Sequence, residues 1–304
     1  MTITTTTQTS PIPTTPKIVA TNVTLDSTKP YYVFWLDNLS ENGYISVCSD
    51  YDDNLQLFVT SGNYLYNYIL YDSNGLYNPV GDLSSNNIYT NDDDRPRSIT
   101  STSNCFTIVK TNGNAASLAT LLFRRINQQS GNCYNNNIID VYSTIFSTND
   151  AYTNNGNCET IFLASLSEFP IIPIDSIFSN SLITVKSAIN GNSLASINST
   201  DPSNWSNFVI YTNALSIIST QQISVQLMYA NSSITKDKQF NQRGIMASPS
   251  YSGFSTKTLG SKMLYQLNNY APTSYKMATG FVVKHLDSNC VVYIRNNDNQ
   301  QNHT

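Results

Sequence analysis

The residues able to do chemistry are few, and they stand apart. The 304-residue chain has two histidines, His285 and His303. His285 lies in a strand-like run, Phe281-Val282-Val283-Lys284-His285, and His303 lies next to the last residue. Nothing around either supplies a recognisable nucleophile setting. No GxSxG, P-loop, GxGxxG or HExxH pattern occurs. Three glutamates leave little material for a paired-carboxylate glycosidase. The expectation is a protein that is not an enzyme and needs no cofactor.

Metal chemistry has two places to reside. Asp50-Tyr51-Asp52-Asp53-Asn54 and Asn91-Asp92-Asp93-Asp94 are the dense acidic spots. Their carboxylates, Asp50, Asp52, Asp53, Asp92, Asp93 and Asp94, are the candidate ligands for a hard cation such as calcium. The first spot places oxygen ligands at alternating positions. It lacks the glycine at the sixth position, where Leu55 stands, and has Ser61 instead of Glu at the twelfth, so an EF-hand fails. Solvated turn aspartates are the competing reading.

Five cysteines, Cys48, Cys105, Cys133, Cys158 and Cys290, form an odd set without CxxC spacing. That argues against a zinc site or a disulfide framework, and the expectation is five free thiols. Six N-x-S/T sequons begin at Asn22, Asn38, Asn198, Asn204, Asn231 and Asn302. Chance at this composition gives roughly 9, so six is no signal for secretion. The first sixteen residues lack the basic and apolar regions of a cleaved signal peptide.

The elements that must position these groups read as strands. Short apolar runs alternate with Asn, Asp, Gly and Ser clusters: Tyr31 to Leu36, Tyr44 to Cys48, Leu55 to Thr60, Tyr64 to Tyr71, Phe106 to Lys110 and Ile138 to Phe146. Later runs are Thr160 to Leu166, Leu182 to Ile189, Phe208 to Tyr211, Ile223 to Tyr229, Gly280 to His285 and Val291 to Ile294. Their lengths and β-branched and aromatic content suit strands. Asn74-Gly75 and Asn190-Gly191 are hairpin-turn candidates. One segment departs from the pattern. Ala115, Leu118, Leu122 and Ile126 recur at helical spacing within Ala115 to Gln129, which predicts an amphipathic helix with Arg124-Arg125 on its solvated face. A weaker helical turn is predicted at Ser261 to Leu267. The fold class is therefore all-β, a jelly roll or β-sandwich with a second β-rich domain and one short amphipathic helix. The divisions are an extended Thr/Pro arm over 1–16, a sandwich region over 17–150, a second β-rich region over 151–295 and a polar tail over 296–304. The two β regions are alternatively one continuous domain.

Composition bears on function. Charged residues make up 12% of the chain, about half the usual quarter. There are 39 Asn, 20 Tyr and 71 Ser or Thr, against 10 Lys and 3 Glu. Contact surfaces are depleted in Lys and Glu and enriched in Tyr. In Tyr64-Leu65-Tyr66-Asn67-Tyr68 a strand would place three rings on one face. The net charge of −4 and the lack of a basic stripe give phosphate backbones no footprint, so direct nucleic-acid binding is not expected. No apolar stretch is long enough for a membrane-spanning helix. Leu182 to Thr200 is a Ser/Thr-rich hairpin candidate of the kind that β-pore formers insert.

Length, Thr/Pro arm, all-β patterning and amino-acid profile together resemble the jelly-roll penton (minor capsid) proteins of virophages such as Mavirus. The likeness is one of profile over the whole chain; no motif carries it and no residue is transferred. It implies a cyclic oligomer, five copies at an icosahedral vertex, contacts with other capsid proteins, and assembly into a virion in the host cytoplasm. The alternatives from the residues are a cell-surface adhesin or carbohydrate-binding β-sandwich and, behind it, a β-pore former.

Overall fold

A computed structural model describes residues 18–75, 77–84, 97–111, 116–126, 138–141, 151–154, 158–165, 171–179, 181–197, 206–221, 223–227, 235–238, 246–247 and 266–269. The first strands are β1 (Ile18–Leu25), β2 (Tyr31–Trp35), β3 (Leu39–Ser49), β4 (Leu55–Val59), β5 (Tyr68–Asp72), β6 (Tyr77–Pro79), β7 (Arg97–Thr100), β8 (Cys105–Lys110) and β9 (Thr120–Arg125). They form two sheets, in the orders β1-β3-β8-β5-β6 and β2-β9-β4-β7. Next come β10 (Ile138–Asp140), β11 (Ala151–Asn154), β12 (Cys158–Leu163), β13 (Ile171–Ser179), β14 (Ile183–Ser187), β15 (Ser193–Ile197), β16 (Ser206–Tyr211), β17 (Ala214–Ser219) and β18 (Ile223–Leu227). With β20 (Met246–Ala247) these build the sheets β10-β12-β17-β14-β15 and β11-β18-β13-β16-β20. A separate parallel pair joins β19 (Thr235–Lys238) and β21 (Gln266–Asn269). The protein is an all-β sandwich fold, and no helix among the described residues is long and apolar enough to cross a membrane.

Four sheets stack through three apolar layers. Leu25, Ile45, Val47, Tyr68, Leu70, Phe106 and Ile108 of the first sheet pack against Phe34, Leu55, Leu57, Val59, Leu121 and Phe123 of the second. Phe162, Val185, Leu215 and Ile217 of the third pack against Ile172, Ile174, Ile177, Ile210 and Val225 of the fourth. Between these cores lies a third layer. The cross-strand row Val33–Leu122–Phe58 on the back of the second sheet meets Ile138, Ile161, Leu163 and Ala214 of the third, with Ala188 beside them.

Polar rims flank that middle layer. On one side the Tyr31 hydroxyl donates to Glu159 Oε1 at 3.0 Å, the Ser216 hydroxyl donates to the same oxygen, and Arg124 Nη2 donates to Gln56 Oε1 at 2.9 Å. On the other, Thr120 Oγ1 donates to the Ala164 carbonyl at 2.7 Å and accepts from Asn213 Nδ2 at 3.2 Å. Ser61 N donates to Asp140 Oδ2 at 2.9 Å. An apolar centre with a hydrogen-bonded rim is the anatomy of a lasting interface.

The middle layer explains the largest departure from the sequence reading. Residues 120–125 of the predicted helix form β9, the strand between β2 and β4. Thr120, Leu122 and Arg124 face the second half; Leu121 and Phe123 enter the first core. A strand buried on both faces loses its polar alternation and cannot be told from a helix by period. Arg124 and Arg125 are accordingly not a solvated helix face: Arg125 is buried, and Arg124 lies 5.1 Å from the Phe58 ring. Burial lowers the Arg124 pKa, and the nearby Glu159 opposes this. The turn predicted at Ser261 to Leu267 meets β21 at Gln266; its earlier residues lie outside the described ones. The strand-like runs Gly280 to His285 and Val291 to Ile294 also lie outside them.

Both Asn-Gly turns are present. Gly75 at φ 90° closes β5 onto β6, and Gly191 at φ 74° closes β14 onto β15, conformations that a side chain resists. The second turn belongs to the hairpin in Leu182 to Thr200. That hairpin is integral to the third sheet, with Ile183, Val185 and Ile197 buried in its core.

Burial pushes the phenol pKa values of Tyr31, Tyr32 and Tyr68 above the ordinary 10.0; at Tyr31 the Glu159 carboxylate adds to the shift. A raised folded pKa means that the unfolded chain loses its protons first as pH rises. Stability is thus expected to hold below about pH 10 and to fall above it. Urea midpoints across that range test this, with Tyr31→Phe flattening part of the decline.

Candidate functional site: a closed acidic loop and an exposed tyrosine knuckle

The acidic loop after β3 already holds a cation from its own chain. Arg125, at the end of β9, donates through Nε to Asp53 Oδ2 at 3.1 Å and through Nη2 to the same oxygen. Its Nη1 stands 3.8 Å from Asp50 Oδ1, and the guanidinium lies 4.4 Å from the centre of the Tyr51 ring. Asp50 and Asp53 therefore act as counter-ions for a buried arginine, which a charge needs in a dry setting. Asp52 is exposed on the same turn. Asp92, Asp93 and Asp94 lie outside the described residues. Among the described residues no group of three or more His, Cys, Asp or Glu is arranged to hold a metal.

Another aspartate has a structural role that its sequence setting does not announce. Asp72, buried at the end of β5, accepts from the backbone and hydroxyl of Thr102, the hydroxyl of Ser103 and the backbone of Asn74. Burial works against its charge, but these donors outweigh that and hold the carboxyl below its usual range. It ties the β5–β6 turn to the loop before β8.

The cysteines correct the free-thiol expectation. Cys48 of β3 and Cys105 of β8 are direct cross-strand partners and form a disulfide. They lie with Tyr44, Ser46, Thr107 and Val109 on the face of the first sheet that turns away from its core. Cys133 and Cys290 lie outside the described residues, and Cys158 opens β12. Sequence spacing missed this pair because 57 residues separate the two cysteines and only strand pairing brings them together.

The tyrosine run is a knuckle, not a strand face. Tyr64 takes the left-handed conformation at φ 59°, and Leu65–Asn67 form a 3-10 turn. Leu65 is buried and anchors the turn in the first core. Tyr68 points inward; its hydroxyl donates to the Leu36 carbonyl at 3.3 Å and accepts from Ser117 N at 3.1 Å. Tyr64 and Tyr66 point out, at 58% and 65% exposure. Gly81, in the 3-10 turn Val80–Ser84, lies against the Tyr66 ring; a Cβ there would come within 2.8 Å of ring atoms. One side of the ring is thereby backed by main chain. Ser61 to Tyr71 contains no charged residue, and Asp82 is the only one in the facing turn.

A left-handed conformation at a bulky non-glycine residue is uncommon and costs of order 1–3 kcal/mol. Here it displays a ring to solvent instead of burying one. Two outward phenols with Asn63 and Asn67 beside them can stack on an apolar face and exchange neutral hydrogen bonds.

No family model matches this chain, and no curated protein matches it. Among solved structures, the CUB1-EGF-CUB2 segment of rat MASP-1 is similar over 67% of this chain and 99% of that one, with 8% identity and a TM-score of 0.22.

Proposed function

We propose that this is a non-catalytic recognition protein, an adhesin or carbohydrate-binding β-sandwich that engages uncharged sugar surfaces through Tyr64 and Tyr66. The observation that carries the reading is the pair of outward rings, one held at a left-handed backbone and the other backed by Gly81. A pyranose offers a C–H face to an aromatic ring and hydroxyls to amide and phenol groups. A tyrosine turn without charge of its own, with Asp82 alone on the facing turn, suits a neutral ligand and disfavours anionic ones. The Cys48–Cys105 disulfide favours an oxidising compartment, as a surface protein has and the cytoplasm lacks.

The test is binding to a panel of neutral polysaccharides by affinity electrophoresis. Tyr64→Ala with Tyr66→Ala removes two stacking partners worth about 0.5–1.5 kcal/mol each, a loss of roughly 5-fold to 150-fold. Retention by none of the polysaccharides, or retention unchanged in the double variant, removes the reading.

A second reading is the penton-type capsid protein, assembled with other capsid proteins in a host cytoplasm. Its support is the four-sheet stack joined by a buried middle layer, which suits a shell building block. A closed ring of five copies in solution would favour it over the adhesin.

A further inference from the structure

We infer that Asn22 is the acceptor of an N-linked glycan, which stands on the outer face of the first sheet; the inference rests on the oxidising compartment of the surface-protein reading. Asn22-Val23-Thr24 is a sequon with valine, not proline, at its centre. Sequons occur in this chain at no more than chance frequency, so position must choose among them. Asn22 and Thr24 are both exposed, two residues apart on β1 and hence on one face. Val23 between them packs against the first core, so that face turns to solvent. The neighbours of Asn22 on it are small: Ala20 and Thr24 along the strand, and Ser46 opposite on β3. No described strand lies on the other flank of β1. A bulky, solvated group therefore has room at Asn22.

The other described sequon, Asn38-Leu39-Ser40, fails the same test. Asn38 is half-buried at the end of the 3-10 turn Leu36–Asn38, between the fully buried Leu36 and Leu39. Its third residue is engaged, the Ser40 hydroxyl donating to the Ile18 carbonyl at 2.9 Å. The sequons beginning at Asn198, Asn204, Asn231 and Asn302 lie outside the described residues. In the transfer, the side-chain amide nitrogen of Asn22 bonds to the anomeric carbon of an oligosaccharide carried on a lipid pyrophosphate. The sugar–phosphate bond breaks, the lipid pyrophosphate leaves, and the amide gives up one proton. That donor belongs to the oxidising membrane system in which disulfides such as Cys48–Cys105 form. The glycan also has a physical use. The cross-strand row Asn22–Ser46–Thr107–Tyr71 runs over the outer face without a charge, and a sugar at its end hydrates it in place of charge.

Peptide mapping of the full chain recovered from its own cells tests the proposal. Digestion with an N-glycosidase in heavy-oxygen water is expected to leave a labelled aspartate at position 22 and none at position 38. Asn22→Gln and Thr24→Ala, made in the same cells, should each lose the label at that peptide completely. Thr24→Ser keeps the sequon and should retain it, which separates the sequon from a packing role of the threonine. Both positions are exposed, so all three variants should keep the wild-type circular dichroism. A wild type without sugar at Asn22, a label at position 38 in its place, or a Thr24→Ala variant still labelled would each overturn the proposal. Alkylation without reduction, on the same material, separates the glycan from the compartment. A bare Asn22 beside an intact Cys48–Cys105 bond removes the glycan alone, whereas a bare Asn22 with free thiols removes the oxidising compartment as well. Polysaccharide retention by Asn22→Gln reports on the tyrosine knuckle separately.

Discussion

Leu122→Ala is expected to lower the unfolding free energy by about 2–5 kcal/mol, as truncation of a large buried side chain does. Leu122 is fully buried at the centre of the middle layer, between Val33 and Phe58 and opposite residues of the second half. Neither half alone can refill that space, because the facing strands are fixed by their own sheets. Glu159→Gln is expected to weaken the same junction, since the Tyr31 and Ser216 hydroxyls share its Oε1 and Arg124 lies within its field. Urea unfolding followed by tryptophan fluorescence reads the effect, Trp35 sitting buried in β2. Thr24→Ala, on the exposed face of β1, is the control and should stay within about 0.5 kcal/mol of wild type. A Leu122→Ala variant as stable as that control would show that the halves do not stack through this layer.

Reduction of Cys48–Cys105 should produce the second large effect. The bond closes a 57-residue separation, and the chain-entropy account of such a loop gives about 4 kcal/mol. Cys48→Ala with Cys105→Ala should lower stability by a comparable amount while leaving the β3–β8 ladder in place, because its flanking pairs Val47–Phe106 and Ser46–Thr107 persist. Alkylation of the denatured, unreduced protein should label two fewer cysteines than alkylation after reduction. Equal labelling would show that the pair is not joined and would remove the argument for an oxidising compartment.

What the sequence determined by itself was local. Alternating and short apolar runs specify strands such as β2, β3, β4 and β8 because one strand's period appears in its own residues. Asn74-Gly75 and Asn190-Gly191 specify their turns because the left-handed backbone is a property of the glycine, whatever surrounds it. The shortage of lysine and glutamate pointed towards contact surfaces without locating one. Tertiary structure decided the rest. β1 was missed because its polar Thr and Asn positions dilute the apolar signal of an edge strand, and β13 because Pro170 and Pro173 resemble breakers. β9 reads as a helix until two sandwiches close on it from both sides, since only then are Leu121 and Leu122 both interior. Asp50 and Asp53 resemble metal ligands until Arg125 arrives from 72 residues further on. Tyr64, Tyr66 and Tyr68 look equivalent in the chain. They separate because Leu65 and Tyr68 are drawn into the first core, which forces the backbone to turn and turns the other two rings out to solvent.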